Sequence, residues 1–286
     1  MAKQRLDILL VDRHLSESRQ QAQRLIRAGE VKVNDRLIDK PGTEVDVEAT
    51  ISIKVKPRYV SRGGEKLEKA INAFKIPVEG RICLDGGIST GGFTDCLLQA
   101  GAKLVYGVDV GYGQVAWKLR QCDRVILKER TNLRYLTPEA LYNDNPRPNL
   151  GVVDVSFISL NKILEPFGNL LDFPKEAVLL VKPQFEVGKE RVGKKGVVRN
   201  PKDRAEAIFR VLETARKLGW RDRGLTHSPI SGPAGNIEYL LWLSTEGEGI
   251  DLTLAQIQQE TEKAIEPDPP PNPLPRGGEQ QTTNNQ

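Results

Sequence analysis

Four ionisable residues stand where acid–base chemistry could be assembled. Asp154 and Lys182 each end a short apolar run, Glu238 precedes another such run, and Lys66 lies within a helical pattern. In a parallel sheet the carboxyl ends of the strands line the ligand crevice, so Asp154 and Lys182 should meet there. A lysine that ends an apolar run is costly to bury without a carboxylate, and Asp154 and Glu238 are the candidate partners.

Such a set could remove the proton from a hydroxyl nucleophile. Lys182 would take part directly, with Lys66 as a second positive group beside it. The alternative for either lysine, considered alone, is a structural ion pair. The four residues together favour the catalytic interpretation, so Lys66, Asp154, Lys182 and Glu238 are the predicted catalytic residues.

A glycine-rich segment follows the first apolar run of the larger part of the chain. Its glycines allow the backbone to approach a ligand closely. A dinucleotide site calls for G-x-G-x-x-G, and Ser89 stands where the second glycine belongs, which disfavours hydride transfer. Asp109 ends the next apolar run, where an acid can accept hydrogen bonds from ribose hydroxyls. The predicted cofactor-binding residues are Asp85, Gly86, Gly87, Ser89, Thr90, Gly91, Gly92, Phe93, Asp109 and Val110.

An α/β domain is needed to position these residues. From about residue 65 to 265, short apolar runs alternate with helical patterns, and the runs lie at 82–84, 104–108, 150–153, 177–181 and 239–243. Repeated buried runs separated by helices predict a mostly parallel sheet with a Rossmann-like arrangement.

The N-terminal segment predicts a separate small α+β unit. A helix over 17–28 is bracketed by Ser16 as N-cap and Gly29 as the residue after the helix. A leucine stripe over 6–10 predicts a shorter helix before it, and 31–33 reads as a strand that enters a tight turn. The Pro- and Gly-containing basic stretch 56–64 then predicts a linker.

Positive charge is concentrated in this N-terminal part. Through Arg62 the chain has 13 Lys and Arg against 9 Asp and Glu, so the whole formal excess of +4 lies there. The asymmetry favours a polyanion partner, and arginine forks pair well with phosphate oxygens. The alternative is a solvated basic helix face. The predicted RNA-binding residues of this unit are Arg5, Arg19, Arg24, Arg27, Lys32, Arg36 and Lys40.

A second basic segment follows Lys182 directly. Residues 188–200 are punctuated by glycines, which is typical of a mobile lid over a substrate and also of an ordinary exposed loop. Its position next to the proposed base favours the lid. The residues predicted to meet phosphates are Lys189, Arg191, Lys194 and Lys195.

Composition argues against several other classes of protein. No stretch approaches the ~18 to 20 apolar residues of a membrane span, and the first residues lack the apolar core of a signal peptide. Three cysteines without C-x-x-C spacing and only two histidines disfavour a structural zinc site or a disulfide framework. We therefore expect a cytoplasmic protein with no metal and no membrane partner. We also expect a monomer.

Two stretches of sequence resemble known families. The residues Arg5-Leu6-Asp7, Ser18-Arg19, Leu25-Ile26, Val33-Asn34 and Lys40-Pro41-Gly42 resemble the small RNA-binding domain named after a protein of the small ribosomal subunit. The pattern Asp-x-Gly-x-Ser-x-Gly-Gly from Asp85 resembles motif I of S-adenosylmethionine (SAM) methyltransferases. That resemblance implies SAM as the cofactor, held by the glycine loop and two acids.

The longest resemblance covers about residues 3–260. Strings at 61–67, 89–95, 153–160, 182–186 and 231–238 are similar to those of TlyA-type, haemolysin-like ribose 2′-O-methyltransferases of ribosomal RNA. This resemblance implies that Lys66, Asp154, Lys182 and Glu238 form a catalytic tetrad and that the substrates are cytidine riboses in rRNA. One departure is 85–88, which reads Asp-Gly-Gly-Ile instead of the usual Asp-Val-Gly-Ala.

The expected organisation is an RNA-binding domain and linker over 1–60, a SAM-dependent methyltransferase domain over 61–265 and a disordered tail over 266–286. The expected partners are ribosomal RNA or ribosomal subunits. Two alternatives stand beside the enzyme: a non-catalytic ribosome-binding factor that retains only the fold, and a membrane-lytic protein. The intact tetrad argues against the first, and the lack of a spanning run or strongly apolar amphipathic helix argues against the second.

Overall fold

The structure, a computed structural model, describes residues 2–54, 57–143 and 145–264. The chain divides into two compact units, Met1–Arg58 and Tyr59–Gln286. The tail expected over 266–286 lies outside the described residues.

The N-terminal unit contains two helices and five short strands. They are β1 Lys3–Arg5, α1 Leu6–Asp12, α2 Arg19–Arg27, β2 Val31–Val33, β3 Arg36–Leu37, β4 Glu44–Asp46 and β5 Ile51–Ile53. Strands β1 and β4 form an antiparallel pair, and β3, β2 and β5 form a small antiparallel sheet in that order. The predicted α+β unit is therefore present.

Local signals explain most of this unit, with one correction. Helix α2 begins at Arg19 because the N-cap is Ser18, whose side chain accepts a hydrogen bond from Gln21 N, and not Ser16 as predicted. Asn34 and Asp35 both have positive φ, as a two-residue hairpin turn of this kind requires. The leucine stripe of α1 is buried in the unit's core.

The second unit contains eight α-helices and seven strands among its described residues, besides four short 3-10 helices. The helices are α3 Gly63–Phe74, α4 Gly92–Gln99, α5 Trp117–Arg120, α6 Pro138–Tyr142, α7 Leu164–Asn169, α8 Pro183–Glu186, α9 Pro201–Lys217 and α10 Leu254–Lys263. The strands are β6 Ile82–Gly86, β7 Leu104–Val108, β8 Val125–Lys128, β9 Leu150–Val153, β10 Glu176–Val181, β11 Arg221–His227 and β12 Tyr239–Ser244.

These strands form one sheet in the order β11-β12-β10-β9-β6-β7-β8. The five strands from β10 to β8 are parallel to one another. Strand β12 pairs antiparallel with β10, and β11 pairs antiparallel with β12. The chain runs from β6 outward to β8 and then returns to β9 on the other side of β6. Ligands of open α/β sheets bind at such a switch point, outside the carboxyl ends of the strands.

Helices cover both faces of the sheet. Alternate residues of one strand enter opposite cores: Leu179 packs on the face that holds α9, and Leu180 packs on the face that holds α3 and α4. Helix α9 begins after Asn200, which caps Lys202 N, with Pro201 as its first residue. Its buried residues recur at helical spacing and fasten it to the sheet.

The described residues contain neither a membrane-spanning helix nor a cluster of metal ligands. In the stretches that the structure describes, no helix is long and apolar enough to cross a membrane. Those same stretches contain no group of three or more His, Cys, Asp or Glu side chains that could hold a metal ion.

Candidate active site

The four predicted catalytic residues form two ion pairs. Lys66 Nζ lies 2.5 Å from Glu238 Oε2, and Lys182 Nζ lies 2.6 Å from Asp154 Oδ1. Both lysines are 8% exposed and Glu238 is 2% exposed. A buried charge is tolerated when it is paired, so each ammonium is held beside its own carboxylate.

Neighbouring strands bring the two pairs to the same edge of the sheet. Asp154 follows β9 and Lys182 follows its parallel neighbour β10. Glu238 precedes β12, which runs antiparallel to β10 with Tyr239 opposite Val181. Lys66 lies in the first turns of α3, whose start packs closely on the start of α4 after the glycine loop. The predicted convergence of the four side chains is therefore a property of the fold.

Ser156 is a further partner of the proposed base. Lys182 Nζ donates a hydrogen bond to Ser156 Oγ at 2.9 Å. Its contact with Asp154 Oδ1 is an ion pair without hydrogen-bond alignment at that oxygen. Lys182 is thus fixed from two directions by the residues that follow β9.

A cavity of about 470 Å³ opens at the switch point of the sheet. This volume lies within the range of small-molecule and cofactor sites. Its walls come from the segments that follow four parallel strands, and the lining residues are Gly87, Ser89, Val108, Asp109, Val110, Gln114, Thr131, Asn132, Leu133, Asp154, Val155, Ser156, Phe157, Ile158 and Ile163.

Backbone amides orient the second predicted acid in this cavity. Asp109 Oδ2 accepts a hydrogen bond from Ser89 N at 2.8 Å, and Asp109 Oδ1 accepts one from Gly111 N at 2.7 Å. The carboxylate is held in place by these bonds and borders the cavity. This is the position expected of an acid that accepts hydrogen bonds from ribose hydroxyls.

Gly87 allows the loop to approach the neighbouring strand. Its φ is +92°, and a Cβ there would lie 2.5 Å from the carbonyl oxygen of Asp154. Only glycine fits that backbone at that distance. The glycine therefore lets the loop after β6 pack directly against the backbone of Asp154, and both residues line the cavity.

Asp85 is fully buried and half satisfied. Its Oδ2 accepts a hydrogen bond from Thr94 Oγ1 at 2.7 Å, while Oδ1 has no hydrogen-bond partner within the described stretches. Burial raises the pKa of Asp85 to about 7, and the nearby charges of Asp154 and Asp109 act in the same direction. An orphaned buried carboxylate oxygen fits a ligand with a cationic or hydrogen-bonding group, such as the ammonium of SAM.

The cavity divides the predicted cofactor residues into two groups. Gly87, Ser89, Asp109 and Val110 line it. The others are outside the lining given above: Asp85, Gly86, Thr90, Gly91, Gly92 and Phe93. Gly91 and Gly92 serve packing, since a Cβ on Gly91 would meet Leu119 and one on Gly92 would meet Ser61.

Sequence reasoning missed several cavity residues. Thr131, Asn132 and Leu133 follow β8, a strand that was not predicted because it is short and half exposed. The alternation of Val125 and Leu127 was the available signal. Ser156 and Phe157, which follow Asp154 in the family-like string at 153–160, also line the cavity, although the sequence pattern assigned neither a role.

The predicted RNA-binding residues of the N-terminal unit lie at its surface. All seven are exposed: Arg5, Arg19, Arg24, Arg27, Lys32, Arg36 and Lys40. Arg5 and Arg19 both form ion pairs with Asp7. Arg24 and Arg27 occupy the last turn of α2.

The basic segment after Lys182 is more firmly attached than a mobile lid. Asn236 accepts a hydrogen bond from Val198 N at 2.9 Å and donates one to Gly196 O at 2.8 Å. Arg191 forms ion pairs with Asp203 and Glu206 of α9. Lys189, Lys194 and Lys195 are exposed, so they are the residues of this segment best placed to meet phosphate.

Family models match both units. Residues 59–245 match the FtsJ-like methyltransferase family, and residues 4–51 match the S4 domain. The first match covers more than half of the chain. It confirms the prediction of a Rossmann-like, SAM-dependent methyltransferase domain, and the second confirms the predicted N-terminal RNA-binding domain.

Similar proteins agree over nearly the whole length. YqxC of Bacillus subtilis is 51% identical over 248 residues, which are 86% of this chain and 88% of YqxC. The "16S/23S rRNA (cytidine-2'-O)-methyltransferase TlyA" of Mycobacterium tuberculosis is 48% identical over 85% of this chain and 90% of that protein. A solved structure of a hemolysin-named protein from Streptococcus thermophilus has 43% identity and a TM-score of 0.70, covering 93% of this chain and 96% of that one. With its paired lysines and carboxylates beside a cofactor-sized cavity, the chain is an enzyme that belongs to the FtsJ-like methyltransferase family, in the group of TlyA and YqxC.

Proposed function

We propose that this enzyme transfers a methyl group from SAM to the 2′-hydroxyl of a ribose in ribosomal RNA, with cytidine as the nucleoside. The observation that carries the proposal is the position of Asp154 and Ser156. Both residues line the cavity and both contact Lys182 Nζ. The cofactor cavity and the proposed base therefore share one wall, and that is where a nucleophile must stand.

The residues that would hold SAM are those with suitable groups at the cavity. Asp109 would accept hydrogen bonds from the ribose hydroxyls, and Asp85 with the Gly87 loop would accommodate the amino-acid part. When bound, SAM supplies an activated methyl group on a sulfonium, so alignment of the nucleophile contributes most of the acceleration.

The tetrad would prepare the nucleophile. Asp154 and Ser156 fix Lys182 Nζ at the end of β10. Once the ammonium has released a proton to solvent, the amine would accept the proton of the 2′-hydroxyl. Glu238 holds Lys66 as a second positive group at this edge. The carboxylates keep both lysines oriented.

The N-terminal unit would dock the RNA. Its exposed cations form a surface suited to phosphates, and Lys189, Lys194 and Lys195 would add contacts near the active site. A monomer is sufficient for this arrangement, because one chain contains both the RNA-binding unit and the methyltransferase unit. We propose the cytoplasm as its location, where ribosomal subunits are found.

The direct test is methyl transfer to purified ribosomal subunits. The enzyme is incubated with SAM labelled in its methyl group and with small or large subunits from cells that lack the protein. We expect label in rRNA and new 2′-O-methyl marks at cytidines. Absence of transfer to either subunit contradicts the proposed function.

The membrane-lytic alternative has its own test. Relatives carry the name hemolysin, so release of dye from liposomes is measured with the same preparation. We expect none. Lysis together with absent methyl transfer would favour the alternative over the enzyme.

A further inference from the structure

Asp7 is a buried carboxylate that gathers two arginines of the RNA-binding unit. It follows Arg5 and is 0% exposed, while the side chains of Arg5 and Arg19 are 44% and 53% exposed. The positive groups therefore reach solvent and the negative group does not. A polyanion that approaches this surface meets the guanidinium groups first.

The hydrogen bonds give the two arginines a defined orientation. Arg5 donates from Nε to Asp7 Oδ1 and from Nη2 to Oδ2, both at 3.0 Å, in the two-pronged geometry of an arginine–carboxylate pair. Arg19 Nε donates to Oδ2 at 2.9 Å, and Gln23 Nε2 donates to the same oxygen at 2.8 Å. Oδ1 thus accepts one hydrogen bond and Oδ2 accepts three, and both arginines converge on a single carboxylate.

The turn before β4 supports this arrangement. Asp7 N donates to Pro41 O at 3.1 Å, and a Cβ on Gly42 would lie 3.2 Å from Nη1 of Arg5. The Arg5 guanidinium therefore rests against the backbone of the turn that also carries the exposed Lys40. Asp7 and this turn together restrict the orientation of the Arg5 guanidinium.

We propose that Asp7 is a positioning residue that organises Arg5 and Arg19 into one clamp for an RNA phosphodiester. A guanidinium has five N–H donors in a fixed fork, so the donors of Arg5 and Arg19 not directed at Asp7 remain to grip phosphate oxygens. Prior orientation reduces the ordering cost of binding. This inference rests on the proposed RNA-binding function of the N-terminal unit.

The substitution Asp7→Asn separates the clamp from simple electrostatics by the sign of its effect. It removes a negative charge from a surface that binds a polyanion, so simple electrostatics predicts tighter binding. Loss of the clamp predicts weaker binding, by about tenfold. The matched control is Asp35→Asn, which removes an exposed charge in the same unit at a turn position that asparagine tolerates.

Affinity of the full-length protein for labelled ribosomal subunits is measured over a series of salt concentrations. We expect Asp35→Asn to bind as tightly as the wild type or slightly more tightly. We expect Asp7→Asn to bind more weakly and with a shallower dependence on salt, because fewer phosphates are neutralised. A purely structural defect lowers the fraction of active protein and leaves that slope unchanged. Unchanged or tighter binding by Asp7→Asn, or weaker binding with an unchanged slope, overturns the proposal.

Charge-preserving variants test the clamp even if Asp7→Asn does not fold. Arg5→Lys and Arg19→Lys keep the ion pairs with Asp7 but lose the fork. The control is Arg210→Lys, at an exposed position of α9 outside the predicted RNA-binding residues. We expect several-fold weaker binding for the first two, a double variant little worse than either, and no change for the control. Wild-type affinity in both single variants overturns the clamp. Failure of the wild-type protein to bind subunits contradicts the proposed function instead.

Discussion

Two aspartates, one in each unit, are both 0% exposed and yet have opposite surroundings. Asp7 accepts hydrogen bonds from Arg5, Arg19 and Gln23, and these partners hold its pKa well below the usual value. Asp85 accepts one from Thr94, its Oδ1 has no hydrogen-bond partner among the described residues, and burial raises its pKa to about 7.

The difference distinguishes two uses of a buried carboxylate. A carboxylate whose two oxygens both accept hydrogen bonds from neighbouring side chains orients those side chains. A carboxylate with an orphaned oxygen carries an unfavourable desolvation that a ligand can relieve. We therefore propose that Asp7 organises a surface and that Asp85 contributes to SAM binding.

The largest effect is expected beside Asp85, at Lys182. We predict that Lys182→Ala lowers the rate of methyl transfer by about 10²- to 10⁴-fold, the usual range for loss of a general base. SAM affinity, measured by calorimetry, should stay within a few-fold because Lys182, held by Asp154 and Ser156, is proposed to act on the nucleophile and not on the cofactor. The matched control is Lys103→Ala, an exposed lysine before β7 at the other end of the sheet. Wild-type turnover in Lys182→Ala would remove Lys182 from the mechanism.

Replacing each aspartate by asparagine tests the comparison directly. Asp85→Asn should weaken SAM binding by about tenfold or more, because a hydrogen bond to a charged group is lost. It should not lower the free energy of unfolding at pH 8, since a buried charge has been removed. Asp7→Asn should lower that free energy by about 1–3 kcal/mol and leave SAM affinity unchanged. Equal effects of the two substitutions on stability would refute the distinction.

The pH dependence of stability should have opposite signs at the two sites. The folded state keeps the Asp85 proton up to about pH 7, whereas an unfolded aspartate loses it near pH 4. The folded protein therefore binds more protons between these values, and Asp85 makes stability fall as pH rises, by at most about 1.4 kcal/mol per pH unit. The penalty levels off above about pH 7.

Asp7 acts in the other direction. Its lowered pKa contributes stability that is present above about pH 4 and is lost as the pH falls further. Chemical unfolding of the wild type, Asp85→Asn and Asp7→Asn from about pH 2 to pH 8 checks both signs. Parallel curves for the wild type and Asp85→Asn would show that Asp85 titrates normally.

The smallest effect concerns arginines outside the Asp7 cluster. We predict that Arg24→Ala combined with Arg27→Ala weakens RNA binding and reduces the salt slope by about 1.8, the value for two phosphate contacts. Titrations of ribosomal subunits from low to high salt measure the slope. An unchanged slope would mean that these two arginines do not touch phosphate. Arg19, which pairs with Asp7, would then be the main phosphate-binding residue of α2.

Much of the site was predictable because strand ends follow from local pattern. The apolar runs before Asp85, Asp109, Asp154 and Lys182 identify strands, and parallel strands present their carboxyl ends at one edge. Strand β8 escaped prediction because its four residues alternate at an edge of the sheet, and the cavity residues behind it escaped with it. The N-cap of α2 was misplaced by two residues because Ser16 and Ser18 are both suitable caps.

The amino-acid sequence by itself determined the alternation of strands and helices in the larger unit, the presence of two units, and the placement of the ionisable residues at strand ends. These follow from periodicity and local chemistry, which depend on near neighbours along the chain. Only the tertiary structure decided that Lys66 pairs with Glu238 and Lys182 with Asp154. It also decided that both oxygens of Asp7 have hydrogen-bond partners, whereas Oδ1 of Asp85 has none among the residues described. Partners and burial depend on residues far apart in the chain, so the packed fold alone assigns them.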